Sequence, residues 1–169
     1  MYFADTHCHL DFPAFDQDRV EVIQQCHALN ISRLIVPGVT RERWVRLLEL
    51  SEVYPIMAPA IGLHPYFVDQ HSVNDLEVMS ELLSQRNDII AVGEAGLDAT
   101  IGNMAFQIQL LEMQIGVANH FRLPLIMHSR QTHPQLLAVL KKTPLQVGGV
   151  IHGFSGSYEQ AMEFWQQGV

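Results

Sequence analysis

Two histidines, His7 and His9, sit two residues apart in the run DTHCHLD at residues 5–11. On extended backbone alternate side chains share a face, so the two imidazoles point one way and Cys8 the other. Neutral imidazole nitrogen is the commonest side-chain ligand of catalytic transition metals. Taken alone, the pair reads equally well as two surface histidines at a strand end. The choice turns on where the other histidines fall. There are nine in the chain: His7, His9, His27, His64, His71, His120, His128, His133 and His152.

Their placement follows from the elements. Short apolar runs at residues 2–5, 33–37, 56–61, 89–92, 124–127 and 147–151 are bounded by Gly, Pro or polar residues and read as strands. Segments of helical period lie between them. The first covers residues 16–30, with Asp16 and Asp18 where a helix dipole favours negative charge, and a second follows Thr40 as N-cap and presents Trp44, Leu47 and Leu48. Residues 75–86 and 103–120 carry apolar stripes that read as core. Thr132 caps a fifth helix, and Ser157 with Gln160 forms a capping box for a sixth that Gly168 closes. Strands alternating with helices require crossovers and hence a parallel sheet, so the fold class is α/β. The longest loop, residues 62–74, is the candidate lid or substrate loop.

On this frame His7 and His9 follow the first strand, His64 the third (GLHP), Glu94 the fourth (GEAGLD), His128 the fifth (HSR) and His152 the sixth (HGFSG). All are at C-terminal strand ends, which converge on one face in parallel α/β sheets and barrels. The remaining four histidines fall in helices or loops and read as surface or packing residues. Imidazole with carboxylate suits Zn, Mn, Fe or Co better than Ca. Glu94 could bridge two ions, with His7 and His9 on one side and His128 and His152 on the other, or serve as a buried hydrogen-bonding carboxylate.

Composition narrows the rest. At 169 residues with 48% hydrophobic content, the chain is long enough for one domain, residues 1–169, around a single core. A net charge of −8 argues against nucleic-acid binding through a broad basic surface. Two cysteines, Cys8 and Cys26, make no disulfide framework. With no leader or long apolar run, the expectation is a cytoplasmic protein without a membrane partner and with no evident obligate protein partner.

The ordered set DTHCHLD, GLHP, GEAGLD, HSR and HGFSGS closely resembles the TatD family of metal-dependent hydrolases, within the amidohydrolase-like barrel superfamily. The resemblance covers the whole chain. It implies a TIM-type (β/α)8 barrel, of which this chain supplies about the first six βα units, and a phosphodiesterase or deoxyribonuclease using a metal-activated water. It further implies His7, His9, Glu94, His128 and His152 as metal ligands, and two divalent ions drawn from Zn, Mn, Mg or Co. His64 and Arg130 would lie near a substrate phosphate, the substrate being DNA ends or a small phosphoester. Family members add a last aspartate ligand near the eighth strand, so the chain is expected to be truncated at its C-terminus. Arg130 could instead pair with Asp98, and His64 could be a capped loop histidine before Pro65. Alternative activities are hydrolysis of a small ester, lactone or amide by the same metal chemistry, or an inactive metal-binding fragment.

Overall fold

The computed structural model describes residues 1–169. Its strands are β1 (Phe3–Asp5), β2 (Ile31–Gly38), β3 (Met57–Ile61), β4 (Ala91–Asp98), β5 (Leu125–Arg130) and β6 (Gly149–Ile151). The helices between and after them are α1 (Arg19–Ala28), α2 (Arg41–Val53), α3 (Asp75–Gln85), α4 (Met104–Phe121), α5 (His133–Lys142) and α6 (Tyr158–Trp165). All strand pairs are parallel and the order is β1-β2-β3-β4-β5-β6. Sequential order with a helix in every crossover bends the sheet into a partial barrel of six βα units, helices outside.

The core is divided by the sheet. On the helix side a cluster of 24 buried residues joins α2 to α6 with β3, β4 and β5, anchored by Trp44, Met79, Leu111, Ile115 and Leu136. A smaller cluster seats α1 and α2 against β2 through Ile23, Leu34, Val36 and Leu47, and Cys8 packs at its edge. The concave side holds mainly small residues, Ala60 and Ala91 with Ile126, which leaves the strands room to curve.

Several elements differ from the sequence expectation. The first helix begins at Arg19, not Asp16, because Pro13 nucleates a separate 3-10 turn, Pro13–Phe15. The buried Arg19 guanidinium then ties this entry together, donating to the carbonyls of Leu10 and Phe12 and to Asp16. Thr40 and Thr132 occupy N-cap positions but make no side-chain cap bond. Thr132 Oγ1 donates instead to the Leu97 carbonyl of β4 at 3.0 Å, locking α5 to the sheet. The capping box of Ser157 and Gln160 forms as expected. The candidate lid or substrate loop at residues 62–74 contains a 3-10 segment, Pro65–Gln70.

The largest difference is in β4, which runs past Val92 through Glu94 to Asp98. Gly93 and Gly96 break the expected run but adopt φ of +137° and +139°, and a Cβ on Gly96 would lie 2.0 Å from the His128 carbonyl oxygen. The two glycines therefore let β4 approach β5 where side chains would forbid it. The register slips between Val92 and Ala95, so Glu94 sits on a bulge. Bulges re-aim side chains next to functional sites.

Candidate metal centre

Glu94 is the hub. Its side chain is 2% exposed, and its two oxygens are divided between imidazole pairs. Oε2 lies 3.0 Å from His7 Nε2 and 3.5 Å from His9 Nε2, while Oε1 lies 3.4 Å from His64 Nε2 and 3.5 Å from His128 Nδ1. Burial alone would push the Glu94 carboxyl up, but the surrounding imidazoles of His128, His64, His7 and His9 hold it well below the usual carboxylate range. For His9 and His128 burial disfavours the charged ring, yet the Glu94 carboxylate outweighs it and the pKa of each rises. His152 goes the other way: burial, then the neighbouring His7, push it down.

Each ligand candidate is placed by local structure. His7 and His9 lie just beyond β1, which ends at Asp5, so the alternation arises in extended backbone after the strand. The His7 N–H is held by Asp5 Oδ1 at 3.0 Å and the Cys8 N–H by the Ile35 carbonyl at 3.0 Å. Cys8 thus turns toward the helix layer, where burial raises its thiol to about 11. His128 is oriented by a carboxylate: its Nε2 meets Asp98 Oδ2 at 3.2 Å. Asp98 is anchored in turn by the Thr100 N–H at 2.8 Å and the Thr100 hydroxyl at 2.6 Å, both on Oδ1. Burial opposes its charge, but these bonds and His128 keep its carboxyl low.

His152 enters the same cavity but stacks on His7, ring centroids 3.5 Å apart and planes 11° from parallel. Proximity of ligand atoms yields two sets, His7 with His9 and Glu94, and His64 with Glu94 and His128; His152 belongs to neither. All five expected ligands and His64 line one cavity of about 440 Å³, with Ser129, Arg130, Gln131, Gly153 and Ser155 completing the wall. Arg130 is exposed at the rim, and its expected alternative partner Asp98 is committed to Thr100 and His128. His64 is the capped loop histidine of one of its sequence readings, and its ring also lines the cavity. Its Nδ1 accepts from Tyr66 N–H at 3.0 Å, capping the 3-10 helix, while Nε2 faces Glu94.

The four histidines set aside as packing or surface residues stay out of the cavity. His71 is the exception in interest: it is buried, and its Nε2–H donates to the His64 carbonyl at 2.9 Å. Asp98 was visible in GEAGLD only as a possible Arg130 partner. Its bond to His128 depends on β4–β5 register, which pairs Gly96 with His128.

The donor set fits a transition-metal ion. Both ring nitrogens of His7 and Nδ1 of His9 are buried without a hydrogen-bond partner. His7 Nε2 is near Glu94 but off the line of a hydrogen bond, so distance rather than bonding relates them. Buried, unpaired imidazole nitrogens gathered round one carboxylate are the kind of group that a bound cation satisfies.

A parallel arc of strands whose C-terminal ends gather imidazoles round a buried carboxylate defines a barrel-type α/β protein with a candidate metal centre. The chain belongs to the TatD-related DNase family, whose profile it matches over residues 4–169. It is 41% identical over 169 residues to the uncharacterized metal-dependent hydrolase YjjV of Escherichia coli K12, spanning 98% of this chain and 65% of that protein. The crystal structure of YjjV superposes with a TM-score of 0.92 over 98% of this chain and 65% of its own. Human deoxyribonuclease TATDN3 is 31% identical over 174 residues, 95% of this chain and 63% of that protein. The 3'-5' ssDNA/RNA exonuclease TatD of Citrobacter koseri is 26% identical over 171 residues, 98% of this chain and 64% of that protein. The chain therefore spans just under two thirds of the length of these relatives. No helix is long and apolar enough to cross a membrane.

Proposed function

We propose that the protein is a divalent-metal-dependent hydrolase of phosphodiester bonds in DNA. The observation that carries the reading is the division of Glu94, each carboxylate oxygen facing its own pair of imidazoles across a buried floor. A carboxylate so placed would serve cations on both of its sides, with His7 and His9 as ligands on one, His128 on the other, and His152, stacked on His7, as the remaining ligand. Bound divalent ions would supply charge neutralisation for a phosphoryl group and a water made acidic enough to attack it. Ion identity is drawn from Zn, Mn, Mg or Co.

The chain's own residues then have separable tasks. Asp98 keeps the proton of His128 on Nε2, which leaves Nδ1 free to act as a ligand. Arg130, unpaired at the rim, is placed to receive a non-bridging phosphate oxygen with its forked donors. His64 presents Nε2–H toward the same space. The net charge of −8 leaves the cavity itself as the place where an anionic substrate is attracted. We place the protein in a reducing cytoplasm, in keeping with its free Cys8 and Cys26, and treat residues 1–169 as one domain.

Metal-loaded protein should cleave single-stranded DNA, lose that activity to a chelator and regain it with added zinc or manganese. Cleavage of small esters or lactones with DNA left intact would move the assignment to the alternative hydrolase. Metal retention without turnover of any substrate would leave a metal-binding protein.

A further inference from the structure

Beside the metal-facing groups, a band of ring contacts runs from one cavity histidine to another. His9 meets the Phe12 ring at 5.0 Å between centroids, and His64 meets Phe67 in a T-shaped contact at 6.2 Å. Arg43 closes the gap, its guanidinium 4.3 Å over the Phe12 ring and 5.6 Å from that of Phe67. Tyr66 stands against Phe67 at 5.2 Å with the ring planes 80° apart. These residues come from three successive strand-to-helix connections. Phe12 follows β1, Arg43 lies in the first turn of α2 after β2, and Tyr66 and Phe67 follow β3. The band thus borders the cavity on the side of the first three strands, while Arg130 and Ser155 line it from the ends of β5 and β6.

Packing accounts for neither end of this band. Tyr66 is 58% exposed, yet its backbone is held firmly. Its N–H donates to His64 Nδ1 at 3.0 Å, Phe67 N–H donates to the His64 carbonyl at 3.0 Å, and Gln114 of α4 accepts from Leu63 N–H at 2.8 Å. A ring so mounted loses little freedom when a partner settles on it. Arg43 is the other case. Arg41 pairs with Asp75 and Arg46 with Asp16, but Arg43 makes no ion pair, and its Nη1 is buried without a hydrogen-bond partner. In a chain of net charge −8, a guanidinium left without a bonded carboxylate beside the cavity favours an anionic strand there.

We infer that Tyr66 is a stacking platform for a nucleobase of single-stranded DNA, buttressed by Phe67 and by Arg43 on Phe12, next to the phosphodiester that enters the cavity. Every base has a π-face, so a ring platform holds bases without reading their sequence. Bases already paired and stacked in a duplex cannot reach it. Which bond is cut beside the stacked base rests on the proposed hydrolase; the stacking itself is a binding property that needs no turnover.

Zinc-loaded protein is titrated with a short fluorescent oligothymidylate carrying phosphorothioate linkages, which resist cleavage. A second strand of equal length has abasic sites throughout, keeping every backbone charge and dropping the bases. The parent is expected to bind the base-bearing strand about 10-fold tighter than the abasic one. Tyr66→Phe should keep that ratio. Tyr66→Ala, and Tyr66→Leu with its apolar bulk but no π-face, should bring it to about one. Arg43→Met, which fills the space between the rings without charge, should weaken both strands; if it does not fold, the Tyr66 series still decides. A parent ratio near one, no binding of the base-bearing strand, or a ratio preserved in Tyr66→Leu overturns the inference. Turnover of bis(p-nitrophenyl) phosphate reports the hydrolase separately. Its absence beside an intact ratio would sink the hydrolase and keep the platform, and turnover beside a parent ratio of one would do the reverse.

Discussion

Asp98→Asn exchanges one oxygen for an N–H and should reverse the proton on His128. Thr100 donates twice to Asp98 Oδ1, through its N–H at 2.8 Å and its hydroxyl at 2.6 Å, so the asparagine must keep its oxygen there. Its NH2 then faces His128 Nε2, which can no longer donate and must accept. The His128 proton moves to Nδ1, the nitrogen 3.5 Å from Glu94 Oε1, and the lone pair needed by a metal is gone. Binding an ion then requires breaking the new bond from the asparagine amide to His128 or turning that amide against Thr100. Either costs about one charged or two neutral hydrogen bonds, ~1–3 kcal/mol. At about 1.4 kcal/mol per tenfold, affinity at that ion falls by ~5- to 150-fold. The metal-free fold should barely notice: loss of about 1 kcal/mol lowers Tm by about 2–4 °C in a chain of this size. Competition against a fluorescent zinc chelator, run beside thermal unfolding, measures both quantities. An asparagine variant that binds zinc within twofold of the parent would refute the orientation argument, as would a fall in affinity matched by a collapse in Tm.

Further outcomes follow from the same geometry. Glu94→Gln keeps the shape but not the charge that faces both imidazole pairs, so it should bind fewer ions per chain and lose at least 100-fold in turnover while remaining folded; near-parent turnover would leave a single-ion site. In metal-free protein the stability advantage of the parent over Glu94→Gln should be larger at pH 6 than at pH 9. His9 and His128 have raised pKa values because of Glu94, so their contribution is complete below the ordinary histidine value and is lost as pH rises through the folded one. Zinc should reverse the trend, stabilising more at pH 8 than at pH 6 because it competes with protons for the same nitrogens; equal zinc stabilisation at both values would argue against imidazole ligands. Gly96→Ala drives a Cβ to 2.0 Å from the His128 carbonyl at φ +139° and should cost about 2–6 kcal/mol, whereas Gly116→Ala, in the middle of α4 with open space around it, should gain about 0.5–1 kcal/mol. Denaturant unfolding of the two variants checks both signs.

Much of the site was legible because residue type and strand-end position are local properties. Histidines at the ends of β1, β3, β5 and β6 could be read without knowing how the strands pair. What escaped the sequence was non-local. Gly93 and Gly96 looked like the end of a strand, and only the close approach of β5 shows that they continue one. Asp98 looked free for Arg130 until register set it against His128. Thr132 carried every mark of a helix cap, yet its hydroxyl satisfies a β4 carbonyl that the sequence does not place nearby. His152 has the right type and position, but its stacking on His7 depends on the curvature of the whole arc.

That last contact also concerns time. His7 belongs to the first βα unit and His152 to the sixth, and the six units join in strict chain order. Their rings meet across the whole arc, so the cavity depends on every intervening strand being in place. Contacts of such long sequence separation slow the search for the native state. An ion offered early would find the His7 and His9 pair without its buried carboxylate and without a lid of stacked rings, and would hold weakly. Tight metal capture thus reports that the arc has curved, which makes the time course of zinc uptake during refolding a clock for the curving of the arc.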